Sequence, residues 1–198
     1  MRKLVYILSI SLLFLAGQQA SAQNDAYNIG DKTASIGLSL GYFDYGYFGT
    51  RTLGFPPITL TGEYGFHEYV SAGAYLGFAS WKYDWGWVGS NYTYTYSFVS
   101  VGARATFHYL PLLNENLELD IDEEKFDFYL SVIAGLEFQN SKTESDFTGV
   151  DFTPNNDVDL AFGPFAGFKY MVNEQLGVFA EGGWNAFGFF TIGASLRF

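Results

Sequence analysis

The chain is 198 residues long, 48% hydrophobic and 20% aromatic but only 16% charged, far too apolar for a disordered polypeptide. Its 23 Gly, 21 Phe and 15 Tyr disfavour a helical bundle and suit a β protein that presents aromatic side chains. With no Cys it has no disulfide framework, thiolate metal site or lipid-modified N-terminal Cys, and a formal charge of −11 disfavours nucleic acid as a partner.

Residues 1–22 combine Arg2 and Lys3, an apolar run from Leu4 to Ala16, and the small-residue site Ala20-Ser21-Ala22 before Gln23, the layout of a cleavable secretory signal peptide. The run is shorter than the ~20 residues a spanning helix needs. Cleavage would leave 176 residues and, with Arg2 and Lys3 gone, a net charge of −13. Residues 23–33 then form an N-terminal extension, and 34–198 a single domain. Such a chain leaves the cytoplasm and either stays soluble or enters a membrane as a β-barrel.

From Ala34 onward apolar residues occupy every second position, the period of a strand with one greasy face. The first strand alternates Ala34, Ile36, Leu38, Leu40 and Tyr42 with Ser and Gly. The next two place Ile58, Leu60 and Tyr64, then Val70, Ala72, Ala74, Leu76 and Phe78, on the same kind of face. In the fourth, Tyr92, Tyr94, Tyr96 and Phe98 are even-numbered whereas Val99, Val101, Ala103, Ala105 and Phe107 are odd, so a β-bulge or a strand end above the membrane is expected near Phe98 and Val99. The fifth runs from Phe128 to Phe138, the sixth from Leu160 to Tyr170, the seventh from Leu176 to Trp184 and the eighth from Phe190 to Phe198, which makes eight strands.

Connections of two kinds are expected. Turns fall at 66–68, 110–125 and 172–175, and opposite loops at 44–55, 83–91, 140–157 and 185–187. Apolar faces about five residues deep correspond to a band on the order of 25 Å at a strand tilt of ~40°. The opposite faces carry Gly, Ser and Thr with isolated charges, so the large apolar side chains must face lipid. The fold expected is an all-β, eight-stranded antiparallel up-and-down transmembrane barrel. A soluble lipocalin-type barrel shares the periodicity with the faces reversed, but its exterior would be Gly-rich and sparsely charged.

The leader, the eight alternating strands and the ending Ser195-Leu196-Arg197-Phe198 together resemble the OmpA/OmpX-like eight-stranded outer-membrane β-barrel family over residues 33–198. The resemblance implies an outer-membrane location in a Gram-negative-type bacterium, periplasmic termini, and contact with outer-membrane lipid and lipopolysaccharide. It also implies recognition of the terminal Phe198 by the barrel-assembly machinery, and a monomer. The sequence ends at Phe198, so a peptidoglycan-binding domain and a wall-anchoring role are not carried over. Family members are structural barrels, adhesins or host-factor binders, porin-like channels, and in a few cases enzymes.

Six charges fall on the inward faces: Glu63, Arg104, Glu137, Lys169, Glu181 and Arg197. An eight-stranded lumen is only wide enough for side chains to fill, so these should pair, with Glu137 higher than the rest, and plug the interior. A narrow channel is the competing reading. His67 and His108 sit at the turn end, with no acid or nucleophile evident beside them, which disfavours a lipid-modifying enzyme with a catalytic His. The acidic stretch Glu115, Glu118, Asp120, Asp122, Glu123 and Glu124 lacks the spacing of a Ca²⁺ loop and reads as a solvated turn. No cofactor or metal is implied. Aromatics crowd the opposite loops beyond what an interfacial girdle needs, and Trp85 and Trp87 are the candidates for binding an extracellular ligand, carbohydrate included.

Overall fold

The computed structural model of the chain describes residues 25–40, 50–87, 90–145, 155–185 and 188–198, with backbone alone for 50–56, 83–87, 90–92, 144–145, 155 and 185. The leader expected over 1–22 lies outside the described residues. The chain forms β1 (Lys32–Leu40), β2 (Thr50–His67), β3 (Val70–Trp87), β4 (Ser90–His108), α1 (Leu110–Leu117), β5 (Phe126–Ser145), β6 (Asn155–Met171), β7 (Leu176–Asn185) and β8 (Gly188–Arg197). Each strand pairs antiparallel with its sequence neighbour, and β8 pairs with β1, so the sheet closes into an eight-stranded barrel without edges.

The register can be followed once around the wall. Tyr170 leads through Val178, Ala194, Ile36, Leu60, Leu76, Val101 and Leu136 to Leu160, back on β6 and ten residues from the start. That offset is the stagger a closed barrel of tilted strands requires. Every residue on this ring is apolar, and the side chains point away from the axis. Leu38 and Ile192 are 45% and 44% exposed, whereas their neighbours Ser39 and Thr191 are 2% and 0% exposed and hydrogen-bond to each other at 2.8 Å inside the lumen. Grease is outside and small polar groups are within, which excludes the reversed, soluble arrangement.

The wall is lopsided. Strands β2 to β6 run 17–20 residues, but β1, β7 and β8 only 9–10. The extra length lies at the end away from the chain termini, so 50–55, 83–87, 90–91, 140–145 and 155–157 of the expected loops are strand. The phase change at Phe98 contains no bulge. β4 pairs with both β3 and β5 in unbroken register, and Phe98 simply turns inward against Trp81, with ring centroids 5.2 Å apart. The register slips instead in β2 between Leu53 and Ile58, where Pro56 and Pro57 have no N–H to give to the ladder.

The expected turn 110–125 holds a helix. Pro111 opens α1, where a missing N–H costs nothing, and the chain leaves it through Glu118 in the left-handed region at φ 50°. Leu110 is 1% exposed and anchors the helix. Asn114 ties the following acidic stretch together: its Nδ2 donates to the Ile121 carbonyl at 2.8 Å and its Oδ1 accepts from the Ile121 N–H at 3.1 Å. The Lys125 ammonium, 2.8 Å from Asp122, holds that carboxyl below the usual range.

Candidate functional site

The alternation of β2, β4 and β7 delivers Glu63, Arg104 and Glu181 to one level of the lumen, all less than 10% exposed. Arg104 Nε pairs with Glu63, and Nη2 donates to Glu181 at 2.8 Å and to Ser131 at 3.1 Å. Thr106 and Ser71 donate to the other Glu63 oxygen at 3.0 and 2.9 Å, and Tyr129 donates to Glu181 at 2.9 Å. The guanidinium carbon lies 4.8 Å from the Phe165 ring centroid and 5.7 Å from that of Tyr129. Gly167 makes room for this arrangement, because a Cβ there would overlap the Tyr129 ring.

Of the other candidate charges, Lys169 lines the same cavity as Glu63, Arg104 and Glu181, while Arg197 and Glu137 lie apart from it. Lys169 lies 3.4 Å from Asp127, and Arg197 leaves the network altogether, with Nη1 on the Asp25 carbonyl and 3.5 Å from Asp31 at the terminal end of the barrel. Glu137 sits higher, cross-strand from Asp159, a like charge rather than a cation. Between the Arg104 cluster and Glu137 an apolar layer of Tyr75, Ile133 and Phe165 packs together in the lumen, of which the inward position of Tyr75 alone was expected. What remains empty near Arg104 is a cavity of about 10 Å³, room for a single water molecule.

His108 does have partners, contrary to the expectation from sequence. Its Nδ1 is 2.9 Å from Asp127 Oδ1 and its Nε2 is 3.0 Å from Ser71 Oγ, the connectivity of a hydrolytic triad. The surroundings do not match that chemistry. The Ser71 hydroxyl also bonds Glu63, and the cavity beside it admits no acyl group. The three side chains are each 3% exposed, and they tie β3, β4 and β5 together at the barrel end.

The N-terminal extension closes that end. Tyr27 stacks on His108 with centroids 3.5 Å apart and planes 8° from parallel, and its hydroxyl donates toward the carbonyls of His67 and Val70 at 2.6 and 2.7 Å. Burial, reinforced by the Asp127 and Asp31 carboxylates, pushes the phenol well above its ordinary value and keeps it a donor. Ala26 N–H bonds the Glu123 carbonyl at 2.6 Å and Gly30 N–H the Gly65 carbonyl at 2.7 Å, so the extension is stitched to both the acidic turn and β2.

At the opposite end, Trp85 pairs with Tyr92 and Trp87 with Ser90 at the β3–β4 tip, within β-sheet rather than loop. The side chains of Trp85 and Trp87 lie outside the described residues. Trp184, 63% exposed, stands edge-on to Phe189 at 5.5 Å near the shorter side of the wall. Phe198 is 38% exposed and exchanges backbone hydrogen bonds with Lys32, which secures the last strand to the first. Among the described residues no group of three or more His, Asp or Glu converges as metal ligands.

No family model matches the chain, and no curated protein does. Solved structures do. The chain is similar to the Yersinia pestis attachment invasion locus protein Ail, at 16% identity over 86% of this chain and 100% of that one, with a TM-score of 0.43. It is also similar to the N-terminal β-barrel domain of Pseudomonas aeruginosa OprF, at 13% identity over 86% and 98% and a TM-score of 0.45. Ail in complex with the heparin analogue sucrose octasulfate matches at 17% identity over 86% and 100%, with a TM-score of 0.45. The eight-stranded class itself rests on the closed register and the outward apolar ring.

Proposed function

We propose that the chain is an integral outer-membrane β-barrel protein that performs no catalysis: a closed cylinder, plugged by its own side chains, that displays a tall aromatic and acidic wall to the exterior. The observation that carries this reading is the apolar ring from Tyr170 to Leu160 around the outside of a lumen filled with ion pairs. An exterior of that composition needs a hydrocarbon solvent, and a backbone can cross hydrocarbon as a closed barrel because every N–H and C=O is paired. The termini, the acidic turn and α1 then face the periplasm. Outer-membrane lipid and lipopolysaccharide surround the wall, and the strand ending in Phe198 is the segment offered to the assembly machinery.

The test is extraction and gel mobility. The protein is expected to leave membranes only with detergent and to migrate differently on electrophoresis before and after boiling, as a hydrogen-bonded barrel that survives the unheated sample buffer does. Recovery of the folded chain in detergent-free buffer would overturn the reading.

A further inference from the structure

β5 and β6 pair from Phe126↔Tyr170 to Ser141↔Asn155, but β7 accompanies β6 only from Met171↔Gly177 to Phe165↔Gly183 before the chain turns back into β8. Among the described residues no strand pairs with β6 on that side above Phe165. Its upper part is therefore a sheet edge, and Leu160 is 84% exposed, against 43% for its β5 register partner Leu136. Residues 156–160 are exposed at inward and outward positions alike. Two neighbours set the direction of the backbone there. Gly163 lies so close to the Trp184 carbonyl that a Cβ would overlap it, so its Cα faces β7 and its N–H and C=O face β5. Pro164 keeps register with Val132 although it has no N–H, as a proline can where that group would point away from β5. Val158, Leu160 and Phe162 share the parity of Pro164, and so aim their N–H and C=O groups at the open side.

We infer that this edge takes up, as an added strand, an extended cationic peptide in which basic residues alternate with apolar ones. The inference rests on the membrane orientation proposed above, which puts the edge at the outer border of the lipid band. Outward Phe162, Leu160 and Val158 are apolar and exposed, and the next outward residue, Asn156, accepts a hydrogen bond from Asn140 at 2.6 Å. An added strand alternates as β6 does, and antiparallel addition matches the pairing of β6 with both of its neighbours. Its outward side chains are apolar, to continue the face of Val158, Leu160 and Phe162. Its inward side chains meet Asp159 and, one strand further, the register partner Glu137. Two carboxylates on that face select Lys or Arg and repel Asp or Glu. A second copy of the chain does not fit the edge. Inserted the same way up, its β6 leans the other way across the contact, so the two edges cross at about twice the ~40° strand tilt and form no ladder.

The experiment titrates the refolded full chain in nonionic detergent with acetylated octapeptides of alternating Val and Lys, and of alternating Val and Glu. Binding is read by calorimetry and by amide hydrogen exchange, and the same samples are run boiled and unboiled on gels. Saturable binding of the Val-Lys peptide is expected, with exchange at the Leu160 and Phe162 N–H groups slowed at least tenfold. In an antiparallel addition the outward Val residues of the peptide exchange hydrogen bonds with β6, while the N–H groups of its Lys residues face away. N-methylation of the Val amides should therefore weaken binding at least tenfold, and N-methylation of the Lys amides should not. On the protein side Leu160→Pro, which removes an edge N–H that β5 does not use, should weaken it as much, and Leu160→Ala should not. A heat-modifiable barrel that does not bind the Val-Lys peptide, binds the Val-Glu peptide equally, or is indifferent to which amides are methylated overturns the inference and leaves the membrane reading standing. A dimer whose Leu160 N–H exchanges slowly without peptide overturns it in favour of a second copy. Methylation-sensitive binding without a heat shift would uphold the edge and overturn the membrane reading instead.

Discussion

Arg104 is the residue on which the lumen turns, because it is ion-paired to both Glu63 and Glu181. Arg104→Met removes that cation and leaves Glu63 and Glu181 buried in a narrow space without their ion-pair partner. Breaking a buried pair from one side costs about 3–5 kcal/mol, whereas removing every charge in it is close to neutral. Urea titration of the refolded barrel in micelles should show the single variant destabilised by that order, and Glu63→Gln with Glu181→Gln on top of it should restore most of the loss. A triple variant no more stable than the single one would mean that the guanidinium matters for its packing on Phe165 rather than for its charge. The inward direction of these groups was legible in the sequence, since period two is a property of the backbone and needs no partner. The pairings were less so. Asp127 escaped notice because the fifth strand was read from Phe128, whereas β5 begins at Phe126. A signal for His108 did exist: in an up-and-down barrel the last inward residue of one strand lies beside the first inward residues of its two neighbours, here Ser71 and Asp127.

The elements that sequence patterning missed are those too short to show a period. Eight residues of α1 amount to about two turns, fewer than a periodic stripe needs to stand out. The extension around Tyr27 has no period at all, being held by one stacked ring and backbone hydrogen bonds to residues far along the chain. Strand length was underestimated for a related reason. Above the lipid band the outward face turns polar, as at Ser97 and Thr95, while the inward face turns aromatic, so the alternation inverts even though the strand continues. If the extension is a seal and not a loose tail, Tyr27→Ala should loosen one end of the barrel without unfolding it. The variant loses the stack on His108 and the two carbonyl contacts, worth about 1–3 kcal/mol together. Hydrogen exchange should speed up at Gly30 and Gly65, whose N–H groups bond across the extension to Gly65 and Asp31, and leave the ring through Leu76 and Val101 protected. Uniform acceleration over all strands would show instead that the extension holds the whole barrel together.

At the scale of the molecule, closure with an offset of ten residues over eight strands sets a bore that side chains can span, and the side chains present do so in two layers of opposite character. The lower is ionic, built on Arg104, Glu63 and Glu181, and the upper is apolar, built on Tyr75, Ile133 and Phe165. Each layer blocks ions in its own way. A hydrated ion must shed water to enter the apolar layer, and in the charged layer it must displace a salt bridge whose partners already saturate one another. Planar bilayers carrying the wild-type protein should therefore show no stepwise currents at high salt. Because the layers act in series, loss of either alone is insufficient. Arg104→Ala with Glu63→Ala and Glu181→Ala should remain silent behind the apolar layer, and so should Tyr75→Ala with Phe165→Ala behind the ionic one. Only the five substitutions together are expected to open a conducting path. Steady openings of the wild-type protein would place the chain among channels, and openings in just one of the two partial sets would identify the single layer that closes it.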